Sequence, residues 1–306
     1  ASLRDIFVKG AIPVAIFDDL HVADDGDVAK LFDFIAGVRT VSQLCQVPLV
    51  CGSTLRVGGD MVLGDRMVSS VGAVGVIKRR QWLKARREIK PGDSIIMSEG
   101  SGGGTIATTA IYSGNHEAVL ETLTVNTLRL CEHLLNSDCA PLIHAMTDVT
   151  NGGIRGDANT ICDEAKVGLV FDSSQLEKAV NERIMNLLQK LSIDHLGVSL
   201  DSVLVFTPRE NENEVLSHIK RTGIKALVVG EVKDHPKKAL ILMKDKTQAL
   251  TPKFRESAYT WVKKIVGEEN PKDRKRLEKR ASAAYLAATV KSNELVTLIR
   301  NNTISK

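Results

Sequence analysis

The chain has 306 residues, 43% hydrophobic and only 4% aromatic, with a net charge of +4. That length suits two domains or one large one, with a core of Val, Ile, Leu and Ala. The basic clusters at 78–87 and 272–280 lack interleaved aromatics, which speaks against a single-stranded nucleic-acid platform, and no run of about 18 apolar residues suggests a membrane span.

Taken in order, residues 2–10 read as a helix stopped by Gly10, and 12–18 as a buried strand. A helix with no leader suggests that sequence is missing in front of it. Asp24-Asp25-Gly26-Asp27 is a turn and cap. From 28 to 46 the apolar residues Leu31, Phe32, Ile35, Val38, Val41, Leu44 and Cys45 recur at helical spacing. Residues 48–55 read as a strand that ends in a small-residue turn, Gly52-Ser53-Thr54. Gly58-Gly59-Asp60 marks a loop, 67–77 a long strand and 94–97 a short one. Ser98-Glu99-Gly100-Ser101-Gly102-Gly103-Gly104-Thr105 then enters a helix at about 106–112. It is either an anion cradle or a flexible hinge, and it lacks the Lys of a P-loop.

Further on, 118–135 reads as one long amphipathic helix, 167–172 as a strand, 182–191 as a helix and 203–206 as a strand. Residues 211–221 form a helix, and 226–232 and 239–243 form strands. A charged helical tail, broken at Asn270-Pro271, runs from about 253 to 299. Strands and helices mix without strict alternation, so the predicted class is α+β. The domains are expected at 1–97 and 98–250, with the tail at 251–306. Five cysteines without a CxxC pair point to free, mostly buried thiols and a cytoplasmic protein.

The stretch from Ile143 to Glu164 carries the chemistry. An apolar run leads into Thr147-Asp148-Val149-Thr150-Asn151, then Gly152-Gly153, then a helix from Ile154 to about Ala165. The glycines allow close backbone approach or positive φ. The helix start favours an anion. Asp148 can hold a cation such as Mg²⁺ beside it. Two readings stand: a phosphate–metal site, or an ordinary strand–turn–helix corner with Asp148 or Asn151 as a cap. Asp157 reads as a dipole contact or a second metal ligand, His144 as a core histidine, and His116 as a loop residue.

Several pieces resemble the AIR synthase-related superfamily, in the same order. They are SLRDIFVKGAIPVAIFDDL, PLVCGSTLRV, EIKPGDSIIMSEGSGGG, IHAMTDVTNGGIRGDANTI and KALVVGEV. The fourth is similar to the Asp-x-Thr-x-Gly-Gly turn of the hydrogenase maturation factor that dehydrates a carbamoyl thioester. The resemblance implies a two-domain fold with mixed sheets, extended here by the helical tail. It also implies ATP and Mg²⁺ between the domains of a homodimer, and phosphoryl transfer to a carbonyl or amide oxygen or to a small-molecule substrate. Phosphoryl transfer needs positioned carboxylates and backbone donors more than a nucleophile. On this resemblance Asp5 and Asp148 hold the metal. Asp5, Gly52, Thr54, Gly102, Gly103, Gly152 and Gly153 line the nucleotide, and Asp148 and Asn151 are catalytic. Asp18 is a softer match.

Departures are visible. The superfamily's front Gly-rich segment and its Asp-Gly-x-Gly-Thr-Lys strand are absent, so the first domain is expected to be partial. The end Thr303-Ile304-Ser305-Lys306 lacks a cysteine, so the carbamoyl-dehydrating role is not implied. A catalytically degenerate binding or scaffold subunit stays open beside the enzyme. A nucleic-acid binder is the weakest reading.

Overall fold

In the computed structural model the residues described are 1–23, 28–57, 66–78, 83–244 and 246–252. Beyond these, only scattered positions between 276 and 294 are described. The expected turn at 24–27, the loop at 58–60, residues 79–82 of the basic cluster at 78–87 and the break at Asn270-Pro271 lie outside them.

Helix α1 (Ser2–Val8) ends at Gly10, whose φ of 86° suits glycine. Strand β1 (Ile12–Ala23) follows, then helix α2 (Val28–Cys45), strand β2 (Leu49–Val57) and strand β3 (Met67–Val76). These strands form a three-stranded sheet ordered β2-β1-β3, with β2 parallel and β3 antiparallel to β1. Leu3, Ile16 and Val47 make its small core.

Strand β4 (Asp93–Ser98) opens the second part and is buried throughout. Helices α3 (Gly104–Tyr112), α4 (His116–Thr122) and α5 (Asn126–Asn136) follow. Next come β5 (Ala145–Asp148), α6 (Gly153–Ala165), β6 (Gly168–Asp172), α7 (Ser173–Lys178) and α8 (Glu182–Lys190). The last elements are β7 (Val203–Pro208), α9 (Glu212–Arg221), β8 (Ala226–Lys233), β9 (Ala239–Met243) and β10 (Lys246–Ala249). Seven strands form one mixed sheet, β10-β9-β6-β8-β4-β7-β5. Strand β4, assigned by sequence to the first domain as far as residue 97, is hydrogen-bonded on both sides here, to β7 and β8.

Alternation along the central strands divides two cores. Ile95, Met97, Leu204 and Phe206 pack with residues of α3, α6, α7 and α8. Ile96, Val203 and Val205 point the other way, onto Phe7 and Val8 of α1, Leu130 and Leu134 of α5, and Val215 and Ile219 of α9. Successive strand side chains face opposite sides, so a sheet covered on both faces is apolar throughout. Helix α1 thus contributes Leu3 to the small core and Phe7 and Val8 to the large one. This holds its polar residues Arg4 and Asp5 beside the large sheet.

Three sequence expectations change. The long helix at 118–135 is two helices: α4 ends at Thr122, and the Thr124 hydroxyl accepts from the Asn126 N–H at the start of α5. His116 is not in a loop but opens α4 behind an Asn115 cap. Gly52-Ser53-Thr54 is not a turn: these residues run through the middle of β2, paired with Asp18, Asp19 and Leu20. A Cβ at Gly52 would sit 2.2 Å from an Asp18 carboxylate oxygen, so the glycine makes room for a buried side chain. In the tail, the described residues between 276 and 294 are helical. No helix among the described residues is long and apolar enough to cross a membrane.

All five thiols are free; Cys131, Cys139 and Cys162 are buried, Cys45 is half-buried and Cys51 is exposed. Burial pushes the Cys131 thiol up to about 12 and the Cys162 thiol up to about 11. Thiolate is the reactive form. A disulfide reagent at pH 8 is therefore expected to label Cys51 first and to reach Cys131 and Cys162 only with denaturant. Fast labelling of Cys131 in the native protein would contradict this packing.

Candidate functional site

The site is built at the C-terminal end of β5, the edge strand of the large sheet, which the first helix packs against. Strand β5 delivers Thr147 and Asp148 in its buried run, 1% and 5% exposed. The chain then turns at Gly152, with φ 103°, and Gly153, with φ 62°, and enters α6. A Cβ on Gly153 would lie 2.4 Å from the Leu196 carbonyl oxygen and 2.6 Å from the Val198 nitrogen. The turn therefore packs directly on the 196–198 backbone, which only a residue without a side chain permits. The start of α6 receives no side-chain cap, nor does that of α3, so backbone N–H groups at both helix starts lack a side-chain acceptor.

Asp5 and Asp148 lie 143 positions apart, yet α1 packs against β5 and brings the two carboxyls within electrostatic reach of each other. Burial pushes the Asp5 carboxyl up; the Asp148 charge acts in the same direction, and Arg4 opposes them. Two carboxylates this close favour any cation that enters between them. One cation is already present. The Arg4 Nε donates to Asp148 Oδ2 at 2.7 Å, and another guanidinium nitrogen donates to Asp201. The Arg4 side chain is 12% exposed. Burial disfavours its charge, Asp201 and Asp148 favour it, and the net effect holds its pKa above the ordinary value.

Other charges surround the pair. Burial pushes the Lys9 ammonium down and Arg86 adds to this, while Asp148, Glu164 and Asp5 oppose. Arg86 donates to Glu164 at 3.1 Å and to the Thr147 hydroxyl at 3.2 Å. Sequence reasoning missed Arg4, Lys9, Arg86 and Asp201. Arg4, next to Asp5 on the first helix, carried no signal of its own. Asp201 had none, but its φ of 53° marks it as conformationally unusual for a residue with a side chain.

Asp157 is a structural staple. Its carboxylate accepts from the Thr150 N–H at 2.8 Å and the Thr150 hydroxyl at 3.0 Å, which closes the turn. Burial pushes its pKa up and the two Thr150 bonds pull it back. Thr150→Val would leave this buried carboxylate one donor short. The expected cost is about 1–3 kcal/mol in denaturant unfolding; an unchanged midpoint would exclude the staple. His144 donates through Nδ1, 2.9 Å from both oxygens of Asp93, so it is fixed by a carboxylate rather than by apolar packing alone.

The other predicted residues divide. Gly102 has φ 76°, donates its N–H to the Leu200 carbonyl at 2.7 Å, and has no room for a Cβ beside Ile106. A Cβ on Gly103 would be 3.7 Å from Asp201. The glycine loop is therefore a bonded turn against the 200–201 segment and adjoins the Arg4 anchor. Asn151 is exposed on the turn. Gly52 and Thr54 are not brought into this cluster: both are exposed on β2, which pairs with β1 and packs on α2. Two larger hollows, of about 670 and 620 Å³, share Asp172 in their linings and contain none of the predicted site residues. The carboxylate pair is the better candidate because charge and backbone donors converge there, whereas volume alone does not specify chemistry.

The comparisons bear on this arrangement. Residues 1–77 match the AIR synthase related protein N-terminal domain and residues 90–243 match its C-terminal domain. The chain belongs to the AIR synthase-related family. Its fold is the AIR synthase-like (PurM-like) α+β fold with mixed sheets. The N-terminal domain, expected to be only partial, is present and matched over residues 1–77. A chain that starts inside a helix carries no information about how much of a domain follows. An uncharacterized protein of Methanocaldococcus jannaschii is 49% identical over 300 residues, 98% of this chain; the chain spans 65% of that relative's length. The carbamoyl dehydratase HypE of Rhodobacter capsulatus is 26% identical over 236 residues, 75% of this chain and 66% of that protein. A hydrogenase maturation protein HypE solved in complex with ATP shares the fold, with a TM-score of 0.68 at 18% identity, over 83% of this chain and 78% of that one.

Proposed function

We propose that this chain belongs to an ATP- and Mg²⁺-dependent enzyme that activates a carbonyl or amide oxygen, or phosphorylates a small molecule, by phosphoryl transfer. The observation that carries this reading is the meeting of Asp5, from the first helix, with Asp148, at the end of β5. Magnesium is commonly held by one or two carboxylates plus nucleotide phosphates, and this pair fits such a set. Among the described residues no group of three ligating side chains adds to it. Bound there, the ion would neutralise charge on the phosphates. The chain's own part is to bind and orient. In the glycine turns at 102–103 and 152–153, Gly102 and Gly153 hold the fold by donating to the Leu200 and Thr150 carbonyls, and Gly103 and Gly152 are assigned to offer their backbone N–H groups to phosphate oxygens. Lys9 and Arg86 add positive charge beside the pair. Asn151, exposed on its turn, offers an amide to the substrate, and Gly52 and Thr54 are assigned to the nucleotide side. The known complex of a HypE with ATP supports nucleotide use.

The two domains, matched at 1–77 and 90–243, are proposed to flank the nucleotide. The homodimer is assigned to the small sheet, whose Phe17, Val68 and Val74 are exposed. The free thiols support a cytoplasmic location. Neither nucleic acid nor a membrane is assigned as a partner.

A second reading, a catalytically degenerate binding or scaffold subunit, draws on one observation: Arg4 already pairs with Asp148. Calorimetric titration with ATP and Mg²⁺ separates the two. Binding by the wild type that weakens at least tenfold in Asp5→Ala supports the enzyme, and equal or absent binding in both supports the scaffold.

A further inference from the structure

Arg4 links the two ends of the candidate site. Its guanidinium joins Asp148, at the end of β5, to Asp201, which adjoins the Gly103 turn at the start of α3. Asp201 is itself held, since its carbonyl accepts from the Thr127 hydroxyl of α5 at 2.8 Å. The forked geometry of arginine suits two acceptors at once, and the same fork suits phosphate. Asp148 therefore has two competing cationic partners: the resident guanidinium and any ion entering beside Asp5. Two cations on one carboxylate repel. A phosphate reaching the α3 turn offers the guanidinium an alternative anion within a few ångströms of Asp201.

We propose that Arg4 is a built-in counter-ion that guards the metal seat. It holds Asp148 while nucleotide is absent and moves to ligand phosphate when nucleotide arrives, so that metal and nucleotide enter together. This rests on the nucleotide–metal reading above and adds an order of binding and a positioning residue to it. The guard makes the affinities of the two ligands mutually dependent, and by linkage each must raise the other by the same factor.

The test measures Mn²⁺ binding through the spin-resonance signal of the free ion. The wild type, Arg4→Gln and Arg4→Lys are compared, with and without a non-hydrolysable ATP analogue, after correction for the Mn²⁺–nucleotide complex in solution. In the wild type Mn²⁺ alone should bind weakly, and the analogue should tighten it at least a hundredfold. In Arg4→Gln the affinity for Mn²⁺ alone should rise at least tenfold and the tightening by nucleotide should shrink at least tenfold. Arg4→Lys keeps the charge but loses the fork, so it should fall between them and remain folded. An identical tightening factor in the wild type and both variants overturns the guard. If no protein binds Mn²⁺ with or without the analogue, the nucleotide–metal reading itself fails, and the guard with it.

Discussion

Gly153→Ala is expected to destabilise the protein by about 2–5 kcal/mol. Two effects combine. A side chain at φ 62° costs about 1–2 kcal/mol in left-handed strain. The new methyl would also lie 2.4 Å from the Leu196 oxygen and 2.6 Å from the Val198 nitrogen. Both atoms belong to backbone, which cannot swing aside, and overpacking of this kind costs about 1–3 kcal/mol more. For a protein of this size the midpoint of thermal unfolding should fall on the order of 5–15 °C. Gly156→Ala is the control. It lies in the same helix, nothing is within 4 Å of its added Cβ, and alanine is the better helix former. It should leave the midpoint unchanged or raise it slightly. Equal melting of Gly153→Ala and the wild type would mean that the turn does not pack on the 196–198 segment.

Asp148→Asn carries the other large effect. It removes one of the two carboxylate charges and the negative charge that faces Arg4 Nε, while Arg4 keeps Asp201. On the proposed function, nucleotide-dependent phosphoryl transfer should drop at least about 100-fold, since neutralisation of phosphate charge by a held metal is worth several kcal/mol. Asparagine is isosteric and still accepts from Arg4, so the melting curve should move far less than the activity. Phosphate release from ATP, measured beside calorimetric binding, reads the two separately. Wild-type turnover in Asp148→Asn would remove this carboxylate from the chemistry and leave the resemblance to catalytic relatives as a matter of fold.

Much of the architecture was legible because its signals are local. Gly10 stops α1 where a left-handed residue is required, and Gly152-Gly153 turn the chain into α6 at positive φ. Such requirements act within one or two residues and leave a mark in the residue type. The break between α4 and α5 left a weaker mark, because the apolar spacing continues across it. Gly52-Ser53-Thr54 misled for the opposite reason. Small residues suit turns, but here the small residue answers to Asp18 on the neighbouring strand, a demand that arises only once β1 and β2 pair.

By itself the sequence determined the α+β class, the family and the presence of two acidic residues, Asp5 and Asp148, each set in a recognisable local motif. Only the tertiary structure decided what stands around them. Arg4 meets Asp148 and Asp201 across separations of 144 and 197 residues. Charge pairing at that range has no periodicity and no local conformational requirement. It exists because α1 packs Leu3 into one core and Phe7 and Val8 into another, leaving its polar side against the end of the large sheet.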